Sequence, residues 1–103
     1  MDIADWRKKI DELDGRLVEL LNERARAARE IGRLKRKTSM PIYEPDRERI
    51  VLSQVQTVNR GPLEHRHLMH IYERILDVMR NIQKEEIVAE QRVSCDTELD
   101  PKD

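Results

Sequence analysis

Two cations stand on a helix stripe where apolar residues are ordinary. Arg24, Ala28, Ile31 and Lys35 follow one another at spacings of four, three and four, which stacks them on one helix face. An arginine on such a face loses hydration, so it is either paired with a buried acid or open to an anionic ligand. Further along, Glu44-Pro45-Asp46-Arg47-Glu48-Arg49 gathers charge where a second helix should begin. Asp46 and Glu48 there suit the positive end of a helix, so initiation alone explains much of the motif. Gln83 follows Met79 by four and Ile75 by eight, extending an apolar stripe with an amide that needs partners. Taken singly, each of these residues has a plain alternative: Arg24 paired to a nearby acid, Arg7 and Lys35 as solvated flank charges. Taken together they favour an anionic ligand.

Long helices must position them. From Ile3 to Leu34 the residues Ile3, Trp6, Ile10, Leu13, Leu17, Leu20, Ala27, Ile31 and Leu34 recur in alternating steps of three and four, interrupted at Arg24. That spacing predicts a helix with one buried seam. Asp2 or Asp5 can cap its start, and Thr38-Ser39-Met40-Pro41 stops it after about Lys37. Pro45 suits the first turn of a second helix that ends at Asn59-Arg60-Gly61-Pro62 and buries Val51, Val55 and Val58. A third begins near Pro62 to Glu64, carries Leu68, Ile71, Ile75, Met79 and Ile82 on one face, and fades after Ile87. We assign residues 1–91 to one domain and residues 92–103, which include Cys95, to a loosely held polar tail. Gly32, inside the first helix, marks a close backbone approach.

The first helix would be roughly 50 Å long, more than a domain of this size can cover. Arg7 lies beside its seam, 17 residues before Arg24, a separation of about 25 Å that one small ligand cannot bridge. If both arginines serve one site, Arg7 must come from another chain. A symmetric dimer with antiparallel long helices would bring Arg7 of one subunit toward Arg24 of the other. An uncovered seam and a split pair of arginines thus call for the same homodimer.

Composition narrows the class. The 103 residues are 40% charged and 3% aromatic, with no Phe, three Gly and four Pro, which suits one all-helical domain. Lys and Arg number 20 against 21 Asp and Glu, a formal charge of −1, so no global field favours nucleic acid or membrane. A lone cysteine in a polar segment cannot form an intramolecular disulfide, and the first residues show no secretory pattern. The expected compartment is the cytoplasm.

The ordered set Trp6-Arg7-Lys8-Lys9-Ile10-Asp11-Glu12-Leu13-Asp14, Leu20-Leu21-Asn22-Glu23-Arg24, Ile31-Gly32-Arg33-Leu34-Lys35, Pro41-Ile42-Tyr43-Glu44-Pro45-Asp46-Arg47-Glu48 and Gln83 resembles the all-helical class of chorismate mutases. The resemblance runs from about residue 3 to residue 87. It implies an intertwined homodimer of three-helix chains, each of two sites completed by an arginine of the other subunit. It also implies a Claisen rearrangement of chorismate to prephenate, on the route to phenylalanine and tyrosine, with no nucleophile, base, metal or cofactor.

Carried over by position, Arg24 and the partner's Arg7 would clamp the two substrate carboxylates. Lys35 and Gln83 would meet the ether oxygen. Glu48 would accept the ring hydroxyl with help from the Glu44 backbone, and Arg47 would add positive potential and hold neighbouring acids. Because an amide does not titrate, the pH profile should be broad. Two positions depart from the common pattern: Met79 replaces a small hydroxyl residue that helps bind the ring carboxylate, and Glu44 replaces a shorter Asp.

Other readings compete. An isochorismate-pyruvate lyase shares the fold and much of the cationic cage, but its substrate carries the hydroxyl elsewhere, so Glu48 favours the mutase. A catalytically silent helical dimer would use Arg33, Lys35, Arg36 and Lys37 as a basic patch for a partner protein or nucleic acid. Metal binding by His65, His67 and His70 is disfavoured, because only His67 and His70 have helical spacing and no Cys lies nearby.

Overall fold

The computed structural model describes residues 1–99, with side chains as far as residue 88. Its three helices are α1 (Ile3–Thr38), α2 (Pro45–Val58) and α3 (His65–Leu99), so the expected all-α class and helix order are met. The start of α1 is a reciprocal capping box, in which the Asp2 side chain accepts from the Asp5 backbone and the Asp5 side chain accepts from the Asp2 backbone. Its end is Ser39 in the left-handed region, with Lys35, Arg36 and Lys37 complementing the negative helix end. Pro45 opens α2, as its fixed φ and missing N–H allow. The turn before α3 is held by Asn59, which donates to Leu63 O at 2.9 Å and accepts from Gly61 N at 3.1 Å.

The three helices do not make a ball. Both α1 and α2 pack on α3, and the molecule measures 62 × 35 × 16 Å with a radius of gyration of 18.6 Å, against about 13 Å for a compact chain of 100 residues. The reason is the first half of α1, which extends past anything that could cover it. Trp6, Ile10, Leu17 and Leu20 are each more than half exposed.

Three expectations need correction. The apolar seam of α1 is not the face that packs within the chain; the buried stripe is Ala28, Gly32 and Lys35, one step round the helix. Small residues at 28 and 32 allow α3 to approach closely there, whereas the bulkier seam residues Ile31 and Leu34 stay exposed. On α2, Val51 is buried but Val58 is exposed. Finally, α3 continues to Leu99 rather than fading after Ile87. No Gly or Pro interrupts residues 84–99, so nothing in that stretch breaks a helix. Of the tail expected at 92–103, residues 100–103 and the side chain of Cys95 lie outside the described residues.

Candidate active site

A cleft of about 390 Å³ opens between α1, the 39–44 loop, α2 and α3. Its walls bring together Arg24, Lys35, Glu44, Arg47, Glu48, Met79 and Gln83, residues drawn from four separate stretches of sequence. Apolar groups including Ala28, Ile31, Val51 and Leu76 fill the space between them.

Lys35 is the most deeply placed of the charges, at 5% exposure. Its ammonium donates to Ile42 O and to Gln83 Oε1, each at 3.0 Å, and stands 2.7 Å from Glu44 Oε1. An ammonium has three donors; two are spent on these hydrogen bonds, and Glu44 adds an ion pair. A buried lysine without such partners would be costly, so this triad makes its position tenable. Gly32 lets it form: the Gln83 backbone lies against α1 where a side chain on residue 32 would stand.

Arg24 is half-buried at the cleft wall and makes no hydrogen bond or ion pair with the described residues. The sequence left open whether it pairs with an acid or stays available, and no acid among the described residues of this chain pairs with it. Glu48 meets Arg80 in a two-pronged contact, with Arg80 Nε to Glu48 Oε2 and Nη2 to Oε1 both at 3.0 Å. Burial works against the charge on Arg80, but its hydrogen bonds and attraction to Glu48 and Asp77 more than offset this and raise its pKa. Outside the cleft lining, Arg33 on α1 and Glu86 on α3 join the two helices with a 2.6 Å ion pair.

Residues 6–84 match the family described as chorismate mutase type II. The chain belongs to the chorismate mutase type II family. Over 92 residues it is 35% identical to a bifunctional chorismate mutase/prephenate dehydratase of Aquifex aeolicus, covering 85% of this chain and 25% of that protein. A Methanocaldococcus jannaschii protein named chorismate mutase is 33% identical over 54 residues, 52% of this chain and 54% of its own. The chain thus spans about a quarter of the length of the bifunctional relative. Among solved structures, a Helicobacter pylori chorismate mutase in complex with prephenate superposes with a TM-score of 0.76 at 28% identity, covering 82% of this chain and 92% of that one.

Within this chorismate mutase fold, sequence reasoning found most of the cleft but missed Arg80. The signal was present: Leu76, Met79, Arg80 and Gln83 are spaced as i, i+3, i+4 and i+7, one helix face. It also gave Arg47 the task of holding neighbouring acids, whereas Arg80 is the group that grips Glu48. Arg7 is not part of the cleft of its own chain. The basic patch proposed at residues 33–37 does not form as one surface, since Lys35 turns inward and Arg33 is tied to Glu30 and Glu86. His65 contacts Asn59 at 3.2 Å and His67 stands 3.7 Å from Glu64. Among the described residues, no helix is long and apolar enough to cross a membrane.

Proposed function

We propose that the chain is a chorismate mutase that rearranges chorismate to prephenate in this cleft. One observation carries the reading: Lys35 and Gln83, bonded to each other at 3.0 Å, form a fixed donor pair inside a cleft that also holds Arg24, Arg47 and Glu48. Its walls contain no Ser, Thr, Cys or His among the described residues, so hydroxyl or thiol attack and histidine-assisted proton transfer have no agent there. An intramolecular rearrangement needs neither. A carbon–oxygen bond breaks as a carbon–carbon bond forms within one substrate, and negative charge grows on the departing ether oxygen. Lys35 meets that charge with a cation. Gln83, whose oxygen is committed to Lys35, offers its amide NH2.

The carboxylates fall to the guanidinium groups. Arg24, without an internal partner, takes one, and the partner's Arg7 takes the other across a homodimer in which the bare seams of two α1 helices pair antiparallel. Arg47 adds positive potential. Met79 is buried in the wall and donates no hydrogen bond, which leaves the ring carboxylate to cations alone. Glu48 and the Glu44 backbone receive the ring hydroxyl. The reaction itself calls for no cofactor, and we place it in the cytoplasm on the route to phenylalanine and tyrosine.

Incubation of the purified chain with chorismate, and separately isochorismate, followed by NMR, tests the activity. Prephenate from chorismate, lost in Arg24→Ala, is expected; pyruvate from isochorismate with little prephenate would give the fold to the lyase instead. Mixing inactive Arg7→Ala and Arg24→Ala chains tests the shared site. Mixed dimers would each hold one intact site, so about a quarter of wild-type activity should return if subunits exchange freely. Failure to recover any, with exchange verified, would remove Arg7 from the site.

A further inference from the structure

Arg80 lines the cleft as a third guanidinium beside Arg24 and Arg47, yet it is arranged unlike either. Nε and Nη2 bridge both oxygens of Glu48 at 3.0 Å, and Nη1 reaches Asp77 Oδ1 at 3.2 Å. The guanidinium carbon sits 5.0 Å from the centre of the Tyr43 ring. Every nitrogen of the fork is engaged, and Arg80 and Glu48 are each only 23% exposed at their side chains. A guanidinium so occupied cannot turn to a substrate carboxylate without abandoning Glu48.

We propose that Arg80 is a positioning residue: by bridging both oxygens of Glu48 it orients that carboxylate toward the ring hydroxyl, and so makes the cleft discriminate hydroxylated from unhydroxylated ring substrates. The inference rests on the chorismate mutase reading above and deepens it. A two-pronged contact fixes rotation of the carboxylate as well as its place. Each oxygen spends one acceptor direction on Arg80 and keeps another, and Glu48 lines the cleft. The alternative for Glu48 is close at hand. Arg24, Lys35 and Arg47 line the same cleft, and a carboxylate released from Arg80 would be drawn to them, losing the hydroxyl contact and neutralising cations the substrate needs. Arg80 thus acts as a strut between α2 and α3 that keeps one acid out of the cationic cage.

The test compares kcat/KM for chorismate with that for an analogue lacking the ring hydroxyl, in the wild type, Arg80→Met, Glu48→Gln and the double variant. The wild type should prefer chorismate by tenfold or more, roughly the contribution of one hydrogen bond to a charged acceptor. Arg80→Met should shrink that preference toward the Glu48→Gln value. The double variant should lose no more than Glu48→Gln alone, because the second change acts through a group already removed. Equal slowing of both substrates by Arg80→Met, or losses that multiply in the double variant, would overturn the proposal. If circular dichroism shows Arg80→Met unfolded, Arg80→Lys carries the same comparison, since it keeps the charge and cannot bridge both oxygens. Absence of prephenate from the wild type would instead overturn the parent reading, so the two failures are distinguishable.

Discussion

Gly32 of α1 and Gln83 of α3 are packed backbone to backbone: a β-carbon on Gly32 would stand 3.1 Å from Gln83 Cα and 3.3 Å from its Cβ. One turn away, Lys35 donates to the same glutamine. The missing side chain at position 32 therefore sets where the donor pair sits.

Gly32→Ala should lower kcat/KM by about tenfold while changing stability little. Alanine in mid-helix gains up to about 1 kcal/mol over glycine, which offsets part of the cost of pushing Gln83 away, but a displaced donor cannot be repaired by helix propensity. Gly32→Val should destabilise by about 1–3 kcal/mol through overpacking. Urea unfolding read beside steady-state kinetics separates the two effects. Unchanged kinetics in both variants would show that the close approach is unimportant.

Lys35→Met should reduce kcat by roughly 100- to 1000-fold, the usual cost of removing a donor aimed at developing negative charge. Gln83→Glu tests the amide in a different way. With the Lys35 ammonium 3.0 Å from that position, the new carboxyl would favour its ionised form and offer acceptors only. Activity should be low at neutral pH and rise as acid restores a proton, whereas the wild type should stay nearly flat from mildly acidic to neutral pH. A sharp wild-type loss across that interval would count against a non-titrating donor.

Acid should weaken the contact between α1 and α3. The hydrogen bond from Arg33, opposed by partial desolvation and aided by the charges of Arg33, Arg29 and Arg36, holds the Glu86 carboxyl below its ordinary value. A depressed folded-state value means that its stabilising effect is complete above the unfolded value near ~4.3 and disappears as pH falls through the folded one. Unfolding of wild type and Glu86→Gln followed from pH 7 down to pH 3 should show a gap that closes in acid. A gap of constant size would mean that the ion pair contributes nothing.

Gly15→Ala should stabilise the protein by about 0.5–1 kcal/mol without altering turnover. A β-carbon at Gly15 meets nothing within 4 Å, and the residue lies off the Leu13–Leu17 seam. Differential scanning calorimetry and an activity assay decide it; a fall in melting temperature would reveal a contact that the single chain does not make.

The helices were legible because their punctuation is local. Asp2 acts through a side chain that reaches only three residues on, and Ser39 and Pro45 through their own backbones, so the sequence shows where α1 starts and stops and where α2 starts. Most of the cleft was legible too, since Arg24, Lys35 and Gln83 interrupt apolar stripes. What escaped was decided between helices. The seam from Ile3 to Leu34 follows a regular spacing, but nothing in that spacing says that α3 packs on the smaller Ala28–Gly32–Lys35 stripe instead. Arg80 looked like one basic residue among many until α2 placed Glu48 opposite it. From spacing alone Glu48 reads as a helix-initiating acid; the family resemblance suggests its contact with the ring hydroxyl, and only its place beside α3 reveals its contact with Arg80. The length of α3 was underestimated because apolar periodicity weakens after Ile87, although the helix needs only the absence of a breaker to continue.

The bare first half of α1 has a further consequence. With Trp6, Ile10, Leu17 and Leu20 this exposed, the lone chain keeps much of its apolar surface in water, and in the proposed homodimer the second copy would bind only the folded form. Folding and association would then become a single mass-action equilibrium, in which the melting temperature climbs with protein concentration. Abundance, as well as sequence, would set how much heat this protein survives.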